Sequence, residues 1–314
     1  MRAATIRDGE LKVLEHPDPV PGAGQVLVRV RAAGINGADI HQRAGRYPAP
    51  PGSPPDIPGL ELAGEVAELG PGANRFKPGD RVMSIVGGGG QAERAVVHER
   101  VLMPVPDNLN WPEAGGVPEV FTTAHDAIFT QARLESGERL LVHGGAGGVG
   151  TAAIQLGRAA GARVTATVRN EAVREQVAEL GAEVIPCEGF GERGPFDVIL
   201  ELVGAPNLAE NVGALQMQGR ITVIGIGAGA KGELNLGVLM SKRGRIHGSM
   251  LRARPLEEKA LTAREMERSV LPLLEVGAVR VPVAATYPLD EVEQAYERFT
   301  GGGKLGKIVL VMGD

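Results

Sequence analysis

Hydrophobic and polar residues alternate with the two-residue period of a β-strand along the first third of the chain. Residues 25–33 carry valines on one face and arginines on the other. Residues 61–69, 81–86 and 91–97 predict further strands, separated by Pro- and Gly-rich turns. Residues 44–58 are too rich in Pro and Gly for a helix and predict a loop over a cleft, or a passive surface loop. This region therefore predicts an antiparallel, barrel-like domain.

After residue 120 the period changes, and strands alternate with helices. Strands are predicted at 138–143, 163–168, 183–185, 197–202, 221–224 and 246–250, and helices at 120–133, 151–160, 171–180 and 207–215. This alternation predicts an α/β unit with a parallel sheet covered on both faces.

The tail predicts two helices, at 255–274 and 290–299, and a last strand at 307–311. We expect the tail to return to the first domain because its strand needs a sheet partner. The predicted organisation is a catalytic domain over 1–120, a dinucleotide-binding domain over 121–265 and a returning segment over 266–314.

The glycine turn after the first parallel strand carries the most specific motif. Gly145, Gly147 and Gly150 fit G-x-G-x-x-G between a strand and a helix. The first glycine permits a tight turn, the second admits a pyrophosphate, and the third lets helix and strand pack closely. A lone motif is weak in a chain with 46 glycines, but the strand–turn–helix–strand context predicts dinucleotide binding.

The end of the second parallel strand indicates which dinucleotide binds. Sheets that bind NAD usually place an acidic residue there to accept hydrogen bonds from ribose hydroxyls. Here the strand ends in Arg169, whose guanidinium can pair with a 2′-phosphate that a carboxylate would repel. The sequence therefore predicts NADPH, with a solvated surface arginine as the alternative.

Composition excludes several classes of protein. The 314 residues are 43% apolar and carry a net charge of −5 with both signs mixed along the chain. The chain has no block of basic residues of the kind that indicates nucleic-acid binding. No signal peptide and no apolar run of roughly 18 residues is present, so we expect a cytoplasmic protein without a membrane partner. Cys187 is the only cysteine, which excludes an internal disulfide.

Several segments resemble the medium-chain NADPH quinone oxidoreductases, the zeta-crystallin-like family. The similar segments are residues 33–39 (AGINGAD), 42–47 (QRAGRY), 57–61 (IPGLE), 118–119 with 123–124, the glycine turn, and 306–310 (GKIVL). The resemblance covers nearly the whole chain. It implies a GroES-like β-barrel catalytic domain, a Rossmann domain, a cleft between them, and a homodimer.

The resemblance also implies site residues. It places Asn36, Tyr47 and Thr123 near the nicotinamide, Gly145, Ala146, Gly147, Gly148 and Val149 at the pyrophosphate, Arg169 at the 2′-phosphate, Gly204, Gly225 and Ile226 along the ribose and nicotinamide, and Lys307 as a further cofactor contact. One departure is Gly147, where a close relative has a serine, so a hydroxyl contact to phosphate is lost.

Zinc alcohol dehydrogenases share this fold but differ at their metal ligands. They carry cysteine where this chain has Asn36, and Gly-His-Glu where it has residues 59–61 (GLE). Asp39, His41 and Glu61 make a poor donor set without a thiolate or a second imidazole. We therefore expect no metal, and His41 to be a polar residue of a short helix.

Without a metal, the chemistry predicted is hydride transfer to an acceptor that is already electrophilic. A quinone qualifies, and so does an enone or enoyl thioester; a protein that only binds NADPH is the third interpretation. Tyr47 is the first candidate for substrate contact or proton donation, with packing on the cofactor as the alternative. Asn36 is the candidate that orients the carboxamide or the substrate carbonyl. The identity of the acceptor stays open.

Overall fold

The computed structural model describes residues 1–313, which form fifteen strands and ten α-helices. The strands are β1 (Arg2–Arg7), β2 (Glu10–Glu15), β3 (Gln25–Gly34), β4 (Glu61–Leu69), β5 (Arg81–Ile85), β6 (Arg94–His98), β7 (Met103–Pro104), β8 (Arg139–Val142), β9 (Arg163–Thr167), β10 (Glu183–Ile185), β11 (Phe196–Glu201), β12 (Leu215–Val223), β13 (Arg245–Gly248), β14 (Val283–Pro288) and β15 (Lys307–Val311).

The helices connect and cover these strands. They are α1 (Gly37–Arg43), α2 (Trp111–Gly116), α3 (Pro118–His125), α4 (Gly148–Ala159), α5 (Arg174–Glu179), α6 (Leu208–Gly213), α7 (Leu236–Lys242), α8 (Leu256–Ser269), α9 (Leu271–Glu275) and α10 (Val292–Thr300). None of the helices within residues 1–313 has the length and apolar character needed to cross a membrane.

The six-stranded sheet confirms the predicted α/β architecture. Its order is β10-β9-β8-β11-β12-β13, and every neighbouring pair is parallel. Numbered from β8, this is the 3-2-1-4-5-6 order of a dinucleotide-binding sheet. The order reverses between β8 and β11, so a crevice opens beyond the carboxyl ends of those two strands.

The seven-stranded sheet contains the predicted barrel strands and the tail. Its order is β14-β15-β3-β4-β5-β7, with β6 also pairing with β3. β15 pairs antiparallel with β3 and parallel with β14, so the tail strand does return to the first sheet as expected. Residues 44–58 form neither helix nor strand, and His41 lies in the short helix α1, both as predicted.

Five predicted elements differ from the structure. The helix predicted at 120–133 is α3 followed by a π-helical segment, Asp126–Gln131. The helix at 255–274 is interrupted at Val270 into α8 and α9, because Pro272 sits in the first turn of a new helix. The helix at 207–215 ends at Gly213, and the strand predicted at 221–224 begins at Leu215. The strand predicted at 91–97 begins three residues later, as β6 (Arg94–His98).

Candidate active site

The glycine turn lies between β8 and α4, at the crevice where the strand order reverses. No side chain caps α4 at Gly147, so its first N–H groups have no side-chain partner there and carry a partial positive charge. A Cβ at Gly147 would meet only the Gly144 oxygen, 3.4 Å away. A Cβ at Gly150 would lie 2.3 Å from that same oxygen. The main chain is therefore open to a ligand at Gly147, and the turn requires glycine at Gly150; both features fit a pyrophosphate.

The residues predicted on the ribose side come together at the same edge. Gly204, after β11, has a φ of 126°, and a Cβ there would lie 3.0 Å from the Ile226 Cα. A Cβ at Gly225 would lie 2.2 Å from the Leu202 oxygen. The buried Glu201 carboxylate fixes this turn by accepting a 2.8 Å hydrogen bond from the Gly204 N–H. The close packing of the main chain at this edge therefore requires glycine at both positions.

Arg169 follows β9 at the carboxyl edge, and its side chain is exposed. No carboxylate among residues 1–313 forms an ion pair with it. The adjacent Asn170 side chain accepts a hydrogen bond from the Ala172 N–H and so shapes the turn that carries the arginine. An unpaired guanidinium at this position can receive a phosphate.

Lys307 is the centre of a buried ion cluster next to the glycine turn. Its ammonium donates to the Glu61 Oε1 at 2.6 Å, the Asn36 Oδ1 at 2.7 Å and the Ile35 oxygen at 2.9 Å. The Lys307 and Glu61 side chains are only 3% and 0% exposed. All three ammonium protons therefore have acceptors within the protein, and the role of Lys307 as a direct cofactor contact stays a prediction.

Asn36 uses both ends of its amide inside this cluster. Its Oδ1 accepts from Lys307, and its Nδ2 donates to the Glu61 Oε1 at 2.9 Å. The side chain is buried. Its predicted role toward the carboxamide also stays a prediction, and the contacts observed hold Asn36 between the cation and the carboxylate.

The ion cluster and the glycine turn are in direct contact. The Gly306 N–H donates to the Ala146 oxygen at 2.9 Å. A Cβ at Gly148 would lie 3.0 Å from the Lys307 Cδ and 2.6 Å from Val120 on α3. Lys307 therefore lies between Asn36 and the glycine turn.

Asp39 is a fully buried carboxyl beside the cluster. It accepts main-chain hydrogen bonds from Asn36 at 2.8 Å and Gly59 at 3.0 Å. Burial raises the pKa of Asp39 to about 6, and these two N–H donors oppose the rise. The Gln91 amide approaches it at 3.4 Å and accepts from the Tyr296 hydroxyl at 2.8 Å. Every oxygen of Asp39 thus has a donor.

Glu119 on α3 has a different environment. Its Oε1 accepts a 3.3 Å hydrogen bond from the Thr123 hydroxyl, one helical turn along. Its Oε2 is buried with no hydrogen-bond partner among residues 1–313. Burial raises the pKa of Glu119 to about 8; the nearby Glu61 carboxylate adds to the rise, and Lys307 opposes it. Glu119 is therefore mainly a neutral carboxylic acid at pH 7.

Tyr47 lies in the cleft loop and is held by Arg252, which comes from the segment after β13. The Arg252 guanidinium lies 4.9 Å from the Tyr47 ring centre and donates to the Tyr47 carbonyl at 2.9 Å. It also donates to the Gly87 oxygen at 2.8 Å and to the Gln42 side chain. Burial raises the pKa of the Tyr47 phenol. Arg252 thus joins the two sheets of the molecule across the cleft.

The donor set at the position used by zinc alcohol dehydrogenases does not fit zinc. Asn36 and Glu61 both bind the Lys307 ammonium, which would repel a divalent cation. Across residues 1–313 no three His, Cys, Asp or Glu side chains are grouped to hold a metal.

Sequence reasoning did not assign roles to Glu119 or Arg252. Glu119 could have been noticed as the one acid within the otherwise apolar and hydroxyl-bearing start of α3. Arg252 carries no such signal, because its partners Tyr47 and Gly87 are distant in sequence and only the fold brings them together.

Comparisons with known proteins agree with this architecture. Residues 22–107 match the alcohol dehydrogenase GroES-like domain and residues 186–310 the zinc-binding dehydrogenase model. A quinone oxidoreductase from Mus musculus is 33% identical, covering 94% of this chain and 91% of its own. An acryloyl-coenzyme A reductase from Metallosphaera sedula is 30% identical, covering 99% of both. An alcohol dehydrogenase superfamily structure from Novosphingobium aromaticivorans superposes with a TM-score of 0.87 at 29% identity, covering 99% of both chains.

Proposed function

Since the chain belongs to the medium-chain dehydrogenase/reductase superfamily and is related to quinone oxidoreductases, we propose that it reduces quinones by hydride transfer from NADPH without zinc. The observation that carries the proposal is the uncapped amino terminus of α4, open at Gly147 and in contact with the ion cluster. This arrangement supports a phosphate-bearing cofactor whose reactive end faces Asn36, Thr123 and Tyr47.

The protein's part in this reaction is binding, orientation and electrostatics. NADPH, when bound, supplies the hydride. The N–H groups of α4 hold its pyrophosphate, and the main chain at Gly204, Gly225 and Ile226 follows its ribose. Arg252 fixes Tyr47 at the mouth of the cleft, where the ring contacts the acceptor or packs against the cofactor. Electron-poor acceptors such as quinones carry the developing charge in their own conjugated system.

The choice of NADPH over NADH depends on Arg169. Arg169→Glu should reverse the preference because the carboxylate repels the 2′-phosphate and accepts hydrogen bonds from the ribose hydroxyls of NADH. Arg163→Glu, at the other end of the same strand, is the matched control. Dissociation constants for both nucleotides measure the effect; an unchanged NADPH preference in Arg169→Glu would remove this assignment.

The ammonium of Lys307 beside Asn36 and Glu61 supports the proposed independence from zinc. Protein treated with a chelator and dialysed should retain its full kcat, with zinc below the protein concentration by elemental analysis. Restoration of lost activity by added zinc would contradict the proposal.

Reduction of enones or enoyl thioesters is the second candidate, favoured by the acryloyl-coenzyme A reductase relative. A panel of ortho-quinones, para-quinones, enones and enoyl thioesters, followed by NADPH absorbance, separates the two. Turnover of quinones alone supports the first function and turnover of the others alone the second. Saturable NADPH binding without any turnover indicates a non-catalytic binding protein.

We also propose a homodimer formed at the free edge of β13. No strand within residues 1–313 pairs with this edge. Beside it, Leu236 and Met240 on α7 and Met250 after β13 are 62%, 75% and 56% exposed. A second copy would extend the sheet and cover these side chains. Met240→Glu should give monomers by light scattering, whereas Leu261→Glu, an equally exposed site on α8, should not; a monomeric parent protein would refute the dimer.

A further inference from the structure

Reduction of a carbonyl by hydride leaves a negative oxygen that must take up a proton, and the proposed function does not identify its source. Two other carboxyl groups near the cleft already accept hydrogen bonds within the protein. Asp39 accepts from two main-chain N–H groups, and Glu61 accepts from Lys307 and from the Glu119 N–H. A donor must hold a proton at neutral pH and be able to release it toward the cleft.

Glu119 meets both requirements. Its Oε2 is buried without a hydrogen-bond partner among the described residues, which is costly for a carboxylate and tolerable for a neutral acid. The residue as a whole is partly exposed, although this oxygen is buried. Its one side-chain partner is Thr123, on the same face of α3 at i+4 and among the residues predicted at the nicotinamide.

We propose that the carboxylic acid of Glu119 supplies, through the hydroxyl of Thr123, the proton taken up by the reduced acceptor. This inference rests on the proposed function. The Oε1–Oγ1 contact of 3.3 Å serves in both directions, because a neutral carboxyl can donate to the hydroxyl as well as accept from it.

The atoms and charges of the step balance. The C–H bond of the hydride donor breaks, one atom of the acceptor's conjugated carbonyl system gains a bond to that hydrogen, and one oxygen of the acceptor becomes negative. The Thr123 O–H bond breaks as the proton moves to that oxygen, and the Glu119 O–H bond breaks to restore the hydroxyl. Glu119 is left as a carboxylate, which the nearby Lys307 ammonium stabilises until a proton from solvent returns.

The surroundings of Glu119 make its acidity suitable for this role. A general acid works best when its pKa lies near the working pH, and Glu119 has a pKa of about 8, while the Tyr47 phenol has a pKa raised above its ordinary value of 10. The charged and titratable groups that act on Glu119 or feel its charge are Glu61 on β4, Lys307 on β15, Asp39 on α1, Tyr47 in the cleft loop and Arg252 after β13.

The test begins with Glu119→Gln, which keeps the shape and the hydrogen bond from Thr123 but carries no acidic proton. Its kcat for the best acceptor should fall by roughly 10²-fold or more at pH 7, with NADPH affinity retained. The wild-type kcat should decline above pH of about 8, and the variant should lack that decline. Glu175→Gln, an exposed glutamate on α5, is the control.

The relay is tested separately at Thr123. Thr123→Ser should retain most of the rate and Thr123→Val should lose it; equal rates in these two variants would overturn the relay. A readout without cofactor is the infrared carbonyl band of a neutral carboxylic acid, which should titrate near pH 8 in the free protein and be missing in Glu119→Gln. A second band from Asp39 should titrate near pH 6 in both proteins.

The outcomes separate this inference from the proposed function. If the wild type reduces no acceptor, the proposed function fails. If the wild type turns over and Glu119→Gln shows the same kcat and the same decline at high pH, Glu119 is not the proton source and only this inference fails.

Discussion

Replacing Lys307 by Met tests whether the buried ion cluster beside the cleft stabilises the fold. Met fills a similar volume but removes the cation that contacts Glu61 at 2.6 Å and Asn36 at 2.7 Å. The Lys307 and Glu61 side chains are only 3% and 0% exposed. The Glu61 carboxylate would then stay buried with only the Asn36 amide and the Glu119 N–H as donors. Breaking one partner of such a pair costs about 3–5 kcal/mol.

The assay is thermal unfolding of the free protein, with the midpoint as the observable because two core regions need not unfold in one step. At roughly 2 °C per kcal/mol for a chain of this size, Lys307→Met should melt roughly 6–10 °C below the wild type. Lys12→Met removes an exposed lysine that pairs with Glu10, and should melt with the wild type.

A double-mutant cycle identifies the cause. Adding Glu61→Gln to Lys307→Met removes the uncompensated charge, so the double variant should be more stable than the sum of the two single changes, by at least about 2 kcal/mol. Additive effects, or a Lys307→Met protein that melts with the wild type, would refute the reasoning.

Three further predictions concern the glycine turn, the cleft loop and pH. Gly150→Ala should lower the melting temperature because its Cβ would lie 2.3 Å from the Gly144 oxygen. Gly147→Ala, whose nearest atom lies 3.4 Å away, should melt with the wild type, and equal melting temperatures of the two variants would refute the description of the turn. Arg252→Lys keeps the positive charge but loses the guanidinium that contacts the Tyr47 ring and its carbonyl oxygen. The KM of the acceptor should therefore rise roughly tenfold, equivalent to about 1.4 kcal/mol, with little change in the melting temperature. An unchanged KM would contradict the role of Arg252 in holding Tyr47. Between pH of about 4.5 and about 8, the folded state retains the Glu119 proton that the unfolded chain releases, so the free energy of unfolding of the wild type should fall as pH rises. The stability of Glu119→Gln relative to the wild type should rise over the same window. Parallel curves of stability against pH would contradict the raised pKa of Glu119.

The parallel sheet was predictable because its strands and helices follow their periods closely and the glycine motif marks the first crossover. The interruptions were harder to predict. The π-helical segment Asp126–Gln131 has helical periodicity, and the ion pair of Asp126 with Arg254 that accompanies it depends on the tertiary fold. The break at Val270 was foreseeable from Pro272, whose ring favours the first turn of a helix.

The first hairpin was missed although its turn carries a local signal. Asp8 and Gly9 both have positive φ, of 53° and 79°, as a two-residue Asp-Gly turn requires, and they join β1 to β2. The site was predicted only in part. Motifs located the glycine turn, Asn36 and Lys307, but not the contacts among them. Those contacts depend on the pairing of β15 with β3, which brings the Lys307 ammonium to the oxygen of Ile35, 272 positions earlier in the chain.

The most direct test of the account is NADPH oxidation by chelator-treated protein in the presence of a quinone. We expect saturable NADPH consumption at a rate independent of added zinc, with NADPH preferred over NADH and the preference lost in Arg169→Glu. Protein that leaves NADPH unbound, or that consumes it only after zinc is supplied, would contradict the central claim.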